Sequence, residues 1–213
     1  MPDLLNRTTP PPEFHLPLPG HAFYGGGPEG IGETPFDEVP EPEALEIACE
    51  QGDDPRVALR KTLGLFTTGV VIVTTRAGED VHGMTANAFM SVSLDPPLVL
   101  ISVDRRAKMC GILHEGASFG VNVLSDDQRD LSDRFAGRPL PDDVGRPRFT
   151  MVHDTPLLDG SLAQFVARVV RSYWGGDHSL FLGQALYAHT TPGTPLVFHG
   201  GRYERLGEPT ANV

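Results

Sequence analysis

The chain has 213 residues, 39% hydrophobic and 21% charged, with a formal net charge of −11 and two cysteines, Cys49 and Cys110. That balance belongs to ordinary water-soluble globular proteins, and its acidity speaks against a nucleic-acid partner, which calls for a basic face. Two thiols so far apart make neither a disulfide framework nor a zinc motif, so free thiols in a reducing cytoplasm and no metal site are expected.

The N-terminal stretch MPDLLNRTTPPPEF lacks a basic start followed by an apolar core, so no secretory signal is expected. No apolar run reaches the roughly 18 to 20 residues that span a bilayer, and no membrane association is expected. Residues 1–55 hold twelve acidic residues against one arginine, Arg7, which accounts for the whole net charge. They also hold eleven of the twenty prolines. The chain therefore divides into an acidic Pro/Gly-rich extension over 1–55, a domain over 56–206 and a short tail over 207–213.

In the extension, proline recurs too often for helix interiors or paired strands. A short helix is expected over Glu41 to Gln51, with Pro42 early and Gly52 closing it. The letters GGGPEG (25–30) match G-x-G-x-x-G, yet no strand precedes them and no helix follows, so they are expected to form a glycine turn rather than a dinucleotide site. Phe14, Leu16, Leu18, Phe23 and Tyr24 supply apolar anchors. Both a solvated tail and an arm lying across the domain or a partner subunit are compatible with them.

From residue 56 the pattern becomes regular. Arg56 to Phe66 is expected as a helix, broken before Val70 to Thr75 (VVIVTT), a β-branched run typical of a buried strand. Arg76 to Asp80 is a turn, Ala88 to Leu94 a strand, Asp95-Pro96-Pro97 a tight turn and Leu98 to Val103 a strand. Lys108 to His114 reads as a short helix and Phe119 to Leu124 as a strand. Asp126 to Phe135 is an amphipathic helix with Leu131 and Phe135 at i, i+4. Gly137 to Arg148 is a polar loop. Leu162 to Tyr173 is a long strand with Arg168 and Arg171 on opposite faces, followed by strands at Leu180 to Ala188, Leu196 to Phe198 and Arg202 to Arg205. The sum is a mainly β protein, a barrel with peripheral helices.

Three places carry polar residues that a plain barrel does not need. Thr85-Ala86-Asn87 stands in an otherwise apolar stretch, where hydroxyl and amide groups require partners. Ser102-Val103-Asp104-Arg105-Arg106-Ala107-Lys108 places three cations at a helix start, suited to an anion such as a phosphate. Gly175-Gly176-Asp177-His178 puts a histidine at a glycine-rich turn between two long strands. Alone, the first and the third read better as plain turn residues, and the second equally well as a solvated charged turn.

Taken together, TTGVVIVTT, GMTANAFMSVSLDPPLVL, DRRAK, FGVNVLSDDQRDLSDRFAG, LAQFVARVVRSYWGGDHSLFLGQAL and HGGRYERL resemble the flavin reductase family, over about residues 56–206. The resemblance implies the FMN-binding split β-barrel, a Greek-key barrel with a few peripheral helices, here preceded by a long irregular N-terminal arm. It implies an NAD(P)H-dependent reductase that passes hydride to FMN or FAD and supplies reduced flavin to a separate monooxygenase. A flavin-binding protein without turnover and an enzyme acting directly on an organic substrate are the alternatives. By the same resemblance, Met84, Thr85, Ala86, Asn87 and Ala88 line the flavin ring and ribityl chain, with Thr85 and Asn87 hydrogen-bonding it. Ser102, Asp104, Arg105, Arg106 and Lys108 belong to the phosphate-binding segment, and Asn122 and Val123 border the cofactor. His178 lies where the nicotinamide of NADH or NADPH stacks. A cytoplasmic homodimer with flavin at the subunit interface is implied as well. Two positions depart from the family: Ala88, where serine is frequent, and Lys108-Met109, where small hydroxyl residues are common.

Overall fold

The computed structural model describes residues 54–139 and 145–207. The helix expected over 41–51 and the glycine turn over 25–30 lie outside the described residues. Helix α1 spans Pro55–Leu63, and the short strand β1 is Thr68–Gly69. Four antiparallel strands follow: β2 (Val71–Ala77), β3 (Asp80–Ala86), β4 (Phe89–Leu94) and β5 (Pro97–Asp104). Helix α2 (Lys108–Ile112), strand β6 (Ser118–Val123) and helix α3 (Arg129–Phe135) come next. A small hairpin pairs β7 (Phe149–Val152) with β8 (Thr155–Leu158). The long strands β9 (Ala163–Gly175) and β10 (His178–Thr190) form the largest hairpin, and β11 (Val197–His199) with β12 (Arg202–Glu204) ends the described chain.

Seven strands form one sheet in the order β3-β2-β6-β9-β10-β5-β4. Its two edge strands, β3 and β4, are consecutive in the chain and joined only by Asn87 and Ala88. A sheet whose opposite edges share so short a link must curl until the edges meet, and the right-handed twist of strands supplies that curl. The barrel is thus split along the β3/β4 seam, because neither edge strand pairs with the other.

The β-branched run works as the sequence suggests: every residue from Val70 to Thr75 is buried. Its alternation sends Val71 and Val73 into the barrel, with Ile101, Val103, Phe119, Val121 and Phe181. Val70 and Ile72 face a second core with Leu124, Leu158 and Leu196, covered by Leu131 and Phe135 of α3. Helix α2 closes one end of the barrel by burying Met109, Cys110 and, just beyond it, Leu113. The thiol of Cys110 is free and buried. Among the described residues no helix is long and apolar enough to cross a membrane, and no His, Cys, Asp and Glu cluster could hold a metal ion.

The structure departs from the sequence expectation in three places. First, Asp80–Ala86 is a full strand where only a turn up to Asp80 was expected. Second, part of the stretch after the polar loop forms the β7–β8 hairpin, whose turn residues His153 and Asp154 take left-handed backbone angles (φ 47° and 58°). Third, Arg168 and Arg171 share the outward face. The ladder passes from Leu182↔Arg171 to Gly183↔Val169, so Val170 is an unpaired bulge that resets the alternation.

Helix α1 forms where expected, capped by the Asp54 carboxylate accepting from the Arg56 amide at 2.8 Å. None of its residues is buried.

Candidate functional site

The three polar segments singled out in the sequence meet at the barrel end that α2 closes. The Ser102 amide donates to the Ala88 carbonyl at 3.1 Å, which ties the end of the β3–β4 link to β5. The Arg105 amide donates to the Asp177 carbonyl at 3.0 Å, and His178 sits opposite Asp104 in the β5–β10 ladder. Residues 87–88, 102–106 and 177–178 are therefore bound to one another by backbone hydrogen bonds. Strand pairing alone assembles this cluster from segments far apart in sequence.

Side-chain geometry divides the roles more finely. The Asp104 carboxylate accepts from the Arg106 amide at 2.8 Å and from the Arg106 guanidinium at 3.1 and 2.7 Å. The Arg106 guanidinium and backbone N–H hold the Asp104 carboxyl well below the usual carboxylate range. Asp104 is thus the anchor of Arg106, and any part it takes in the phosphate-binding segment runs through that arginine and the backbone, since its own carboxylate repels a phosphate. Arg105 and Lys108, both exposed, make no ion pair among the described residues, so their charges are available to an anion.

His178 donates from Nδ1 to the Asp177 carboxylate at 2.7 Å. The hydrogen bond to His178 keeps the Asp177 carboxyl low. In the neutral ring, fixing the proton on Nδ1 leaves Nε2 as a hydrogen-bond acceptor. Beside it, Ser179 is 1% exposed and its hydroxyl has no partner. It pairs with the half-exposed Trp174 on the strand face that carries the barrel core. The hydroxyl faces the barrel core, where a buried polar group calls for a partner that the described residues do not supply.

Strand β3 alternates. Met84 and Ala86 pack against the barrel core, whereas Thr85 faces α3 and donates its hydroxyl to the Ser132 carbonyl at 2.6 Å. The Thr85 hydroxyl therefore commits its proton to α3, so in a hydrogen bond with a flavin it would have to accept rather than donate. Asn87 and Ala88 are exposed on the link between the edges, and the Asn87 amide has no side-chain partner among the described residues.

Asn122 makes its hydrogen bonds within the protein. It is fully buried, and its amide donates to the Ile72 carbonyl at 2.9 Å and to Thr74 Oγ1 at 3.0 Å. Its carbonyl oxygen accepts from the Leu158 amide at 2.7 Å. Both of its N–H groups and its carbonyl oxygen are thus engaged by β2 and β8. Val123, next along β6, has its side chain turned the other way, against the barrel core.

One residue of this region escaped the sequence reading. His82 lies two positions before Met84 on the same inward face of β3, paired with Thr75. Burial first, and then the Lys108 ammonium, hold its pKa below the ordinary histidine value. The available signal was its parity with Met84 and Ala86, which the missing strand assignment concealed.

Two exposed cations with no ion pair among the described residues, beside an amide on an open seam, fit a flat ring with polar edges and a phosphate tail. The chain belongs to the flavin reductase family: the Flavin reductase like domain matches residues 63–207. It is 46% identical over 159 residues to an NADH-dependent flavin reductase of a Rhodococcus species, covering 72% of this chain and 89% of that one. It is 36% identical over 154 residues to the reductase component of 4-hydroxyphenylacetate 3-monooxygenase of Thermus thermophilus, covering 72% of this chain and 98% of that one. Among solved structures, the NADH:FAD oxidoreductase SgcE6 of Streptomyces globisporus C-1027 superposes with a TM-score of 0.67 at 37% identity, covering 76% of this chain and 100% of that one. The split barrel expected from the sequence is the fold these proteins share.

Proposed function

We propose that the protein is an NADH-dependent flavin reductase that reduces FMN or FAD and supplies the reduced flavin to a separate monooxygenase. The observation that carries this reading is the Asp177–His178 pair, held by backbone hydrogen bonds beside the exposed cations of the Asp104–Lys108 turn. A flavin carrier needs the cations but has no use for an oriented imidazole.

When bound, the flavin supplies an electrophilic ring nitrogen that accepts the hydride of NADH. The chain's own task is to hold two rings in contact and keep them oriented. Lys108 and Arg105 attract the phosphate end. Asn87 and the backbone of the seam between β3 and β4 meet the polar ring edge. His178, with Asp177 fixing its Nδ1 proton, offers Nε2 as acceptor for a donor such as the carboxamide of a nicotinamide. No side chain has to exchange a proton during hydride transfer. Mixing the purified protein anaerobically with excess FMN or FAD and NADH is expected to bleach the flavin absorbance over many turnovers. Binding without bleaching would instead support the carrier reading.

The functional unit we infer is a homodimer. Met90, Val92 and Leu94 on edge strand β4 are 54%, 46% and 93% exposed, and Leu63, Leu65 and Phe66 at the end of α1 are 63%, 65% and 78% exposed. Monomers rarely leave so many large apolar side chains in water. Sedimentation velocity is expected to give twice the chain mass, and Leu94→Asp to shift the species toward the monomer. A monomeric wild-type protein would rule this out.

A further inference from the structure

We propose that His82 is a phosphate-recognition residue that works with Lys108 across the barrel mouth and lets the site distinguish the phosphorylated flavins FMN and FAD from riboflavin. The inference rests on the reading of this site as a flavin site, and it assigns the phosphate end to a residue outside the 102–108 turn.

The geometry comes from two elements. His82 is on β3, inward-facing and half-buried, in register with Thr75 and on the same side as Met84 and Ala86. Lys108 opens α2, which packs against β3. The imidazole makes no hydrogen bond among the described residues. Among the described residues no carboxylate is hydrogen-bonded or ion-paired to either side chain, and Asp104, in the turn before Lys108, has its carboxylate engaged by Arg106. On its own strand, Asp80 is exposed at the outer end. On β2, Arg76 is paired with Asp154 and directed away. On α2, Cys110 is buried in the barrel core, and Lys108 is the group that acts on the ring. Helix α3 packs on the opposite face of β3, where Thr85 meets it.

A half-buried imidazole beside an ammonium, with no carboxylate paired to either, is unfavourable in its charged form. An anion placed between them reverses the sign. Lys108 is then neutralised by the ligand, and a protonated His82 gains a charge-assisted hydrogen bond. The free protein holds His82 neutral near pH 7 because burial and Lys108 lower its pKa. Phosphate binding raises that pKa, so binding takes up a proton and strengthens as the pH falls. Riboflavin, with no phosphate, recruits neither effect.

The test is a set of dissociation constants for FMN, FAD and riboflavin, read by quenching of flavin fluorescence, with wild type, His82→Gln and His82→Asn. Circular dichroism confirms that the variants used are folded. Both substitutions are expected to weaken FMN and FAD by roughly tenfold, the usual scale of a lost charge-assisted hydrogen bond, and to leave riboflavin within about twofold. Calorimetry of FAD binding at pH 6.5 in buffers of different ionisation enthalpy is expected to show proton uptake in wild type and none in the variants. FAD is used because the FMN phosphate itself titrates near pH 6. An equal loss for all three flavins would make His82 a packing residue. Unchanged constants, or proton uptake that survives in His82→Gln, would place it outside the site. If wild type binds none of the three, the flavin reading falls and this inference with it.

Discussion

His178→Ala is expected to lower kcat/KM for NADH by roughly tenfold to hundredfold while leaving the dissociation constant of the flavin unchanged. The magnitude follows from removing one well-oriented acceptor from the nicotinamide, a hydrogen bond whose loss is of the order of 1.5 to 3 kcal/mol in a partly desolvated site. The direction follows from the geometry. His178 stands at the β10 end of the cluster with its Nδ1 held by Asp177, which leaves Nε2 as the acceptor that the proposed reading assigns to the nicotinamide. Asp177→Asn is the sharper companion. It leaves the imidazole in place but offers an amide that can hydrogen-bond either ring tautomer, so kcat/KM should fall less while the flavin remains bound. Stopped-flow measurement of flavin reduction under anaerobic conditions separates the two variants. Unchanged reduction in His178→Ala would remove this histidine from the hydride geometry.

Asn122→Ala is expected to cost stability rather than binding. The side chain joins three backbone and side-chain groups of β2 and β8 that have no access to water. Deleting it strands the Leu158 amide, while the Ile72 carbonyl keeps its partner in the β2–β6 ladder, so a loss of about 1 to 3 kcal/mol is expected. The neighbourhood offers no room for rearrangement. A Cβ on the adjacent Gly120 would lie 2.5 Å from Thr74 Oγ1 and 2.9 Å from the Pro156 carbonyl. The urea midpoint should fall accordingly, with the flavin dissociation constant of the molecules that remain folded unaltered. A weakened flavin constant with an unchanged midpoint would return Asn122 to the cofactor site.

These two residues show what could be read from the sequence. His178 sat in a glycine-rich turn between two obvious strands, and turn chemistry is local, so its position was legible. Asn122 also looked functional, as a lone amide in a β-branched strand. A buried amide needs partners, but the sequence does not say whether they are ligand or protein, and here they belong to β2, 48 and 50 positions back, and to the β7–β8 hairpin, 36 positions ahead. Strand β3 was missed because DVHGMTA has neither a β-branched run nor clean alternation. Its burial arises from α2 and α3 packing on its two faces. With it went the parity that would have separated Thr85 from its neighbours and drawn attention to His82. Asp104, by contrast, pairs with Arg106 two positions later, a local contact of the kind aspartate makes in turns.

The split between β3 and β4 has a consequence for traffic through the protein. Each edge strand pairs with a single neighbour, β2 or β5, so the row of peptide groups along the gap is not engaged in holding the sheet shut. A guest can lodge there and depart without any rung of the ladder being broken, and occupancy is therefore uncoupled from global unfolding. In amide hydrogen exchange, the gap-facing edges of these two strands would respond to a guest's arrival while β6 and β9, inside the sheet, stay silent. A protein that must hand its product to another enzyme gains from such an arrangement, since its grip can be weak and its frame strong at once.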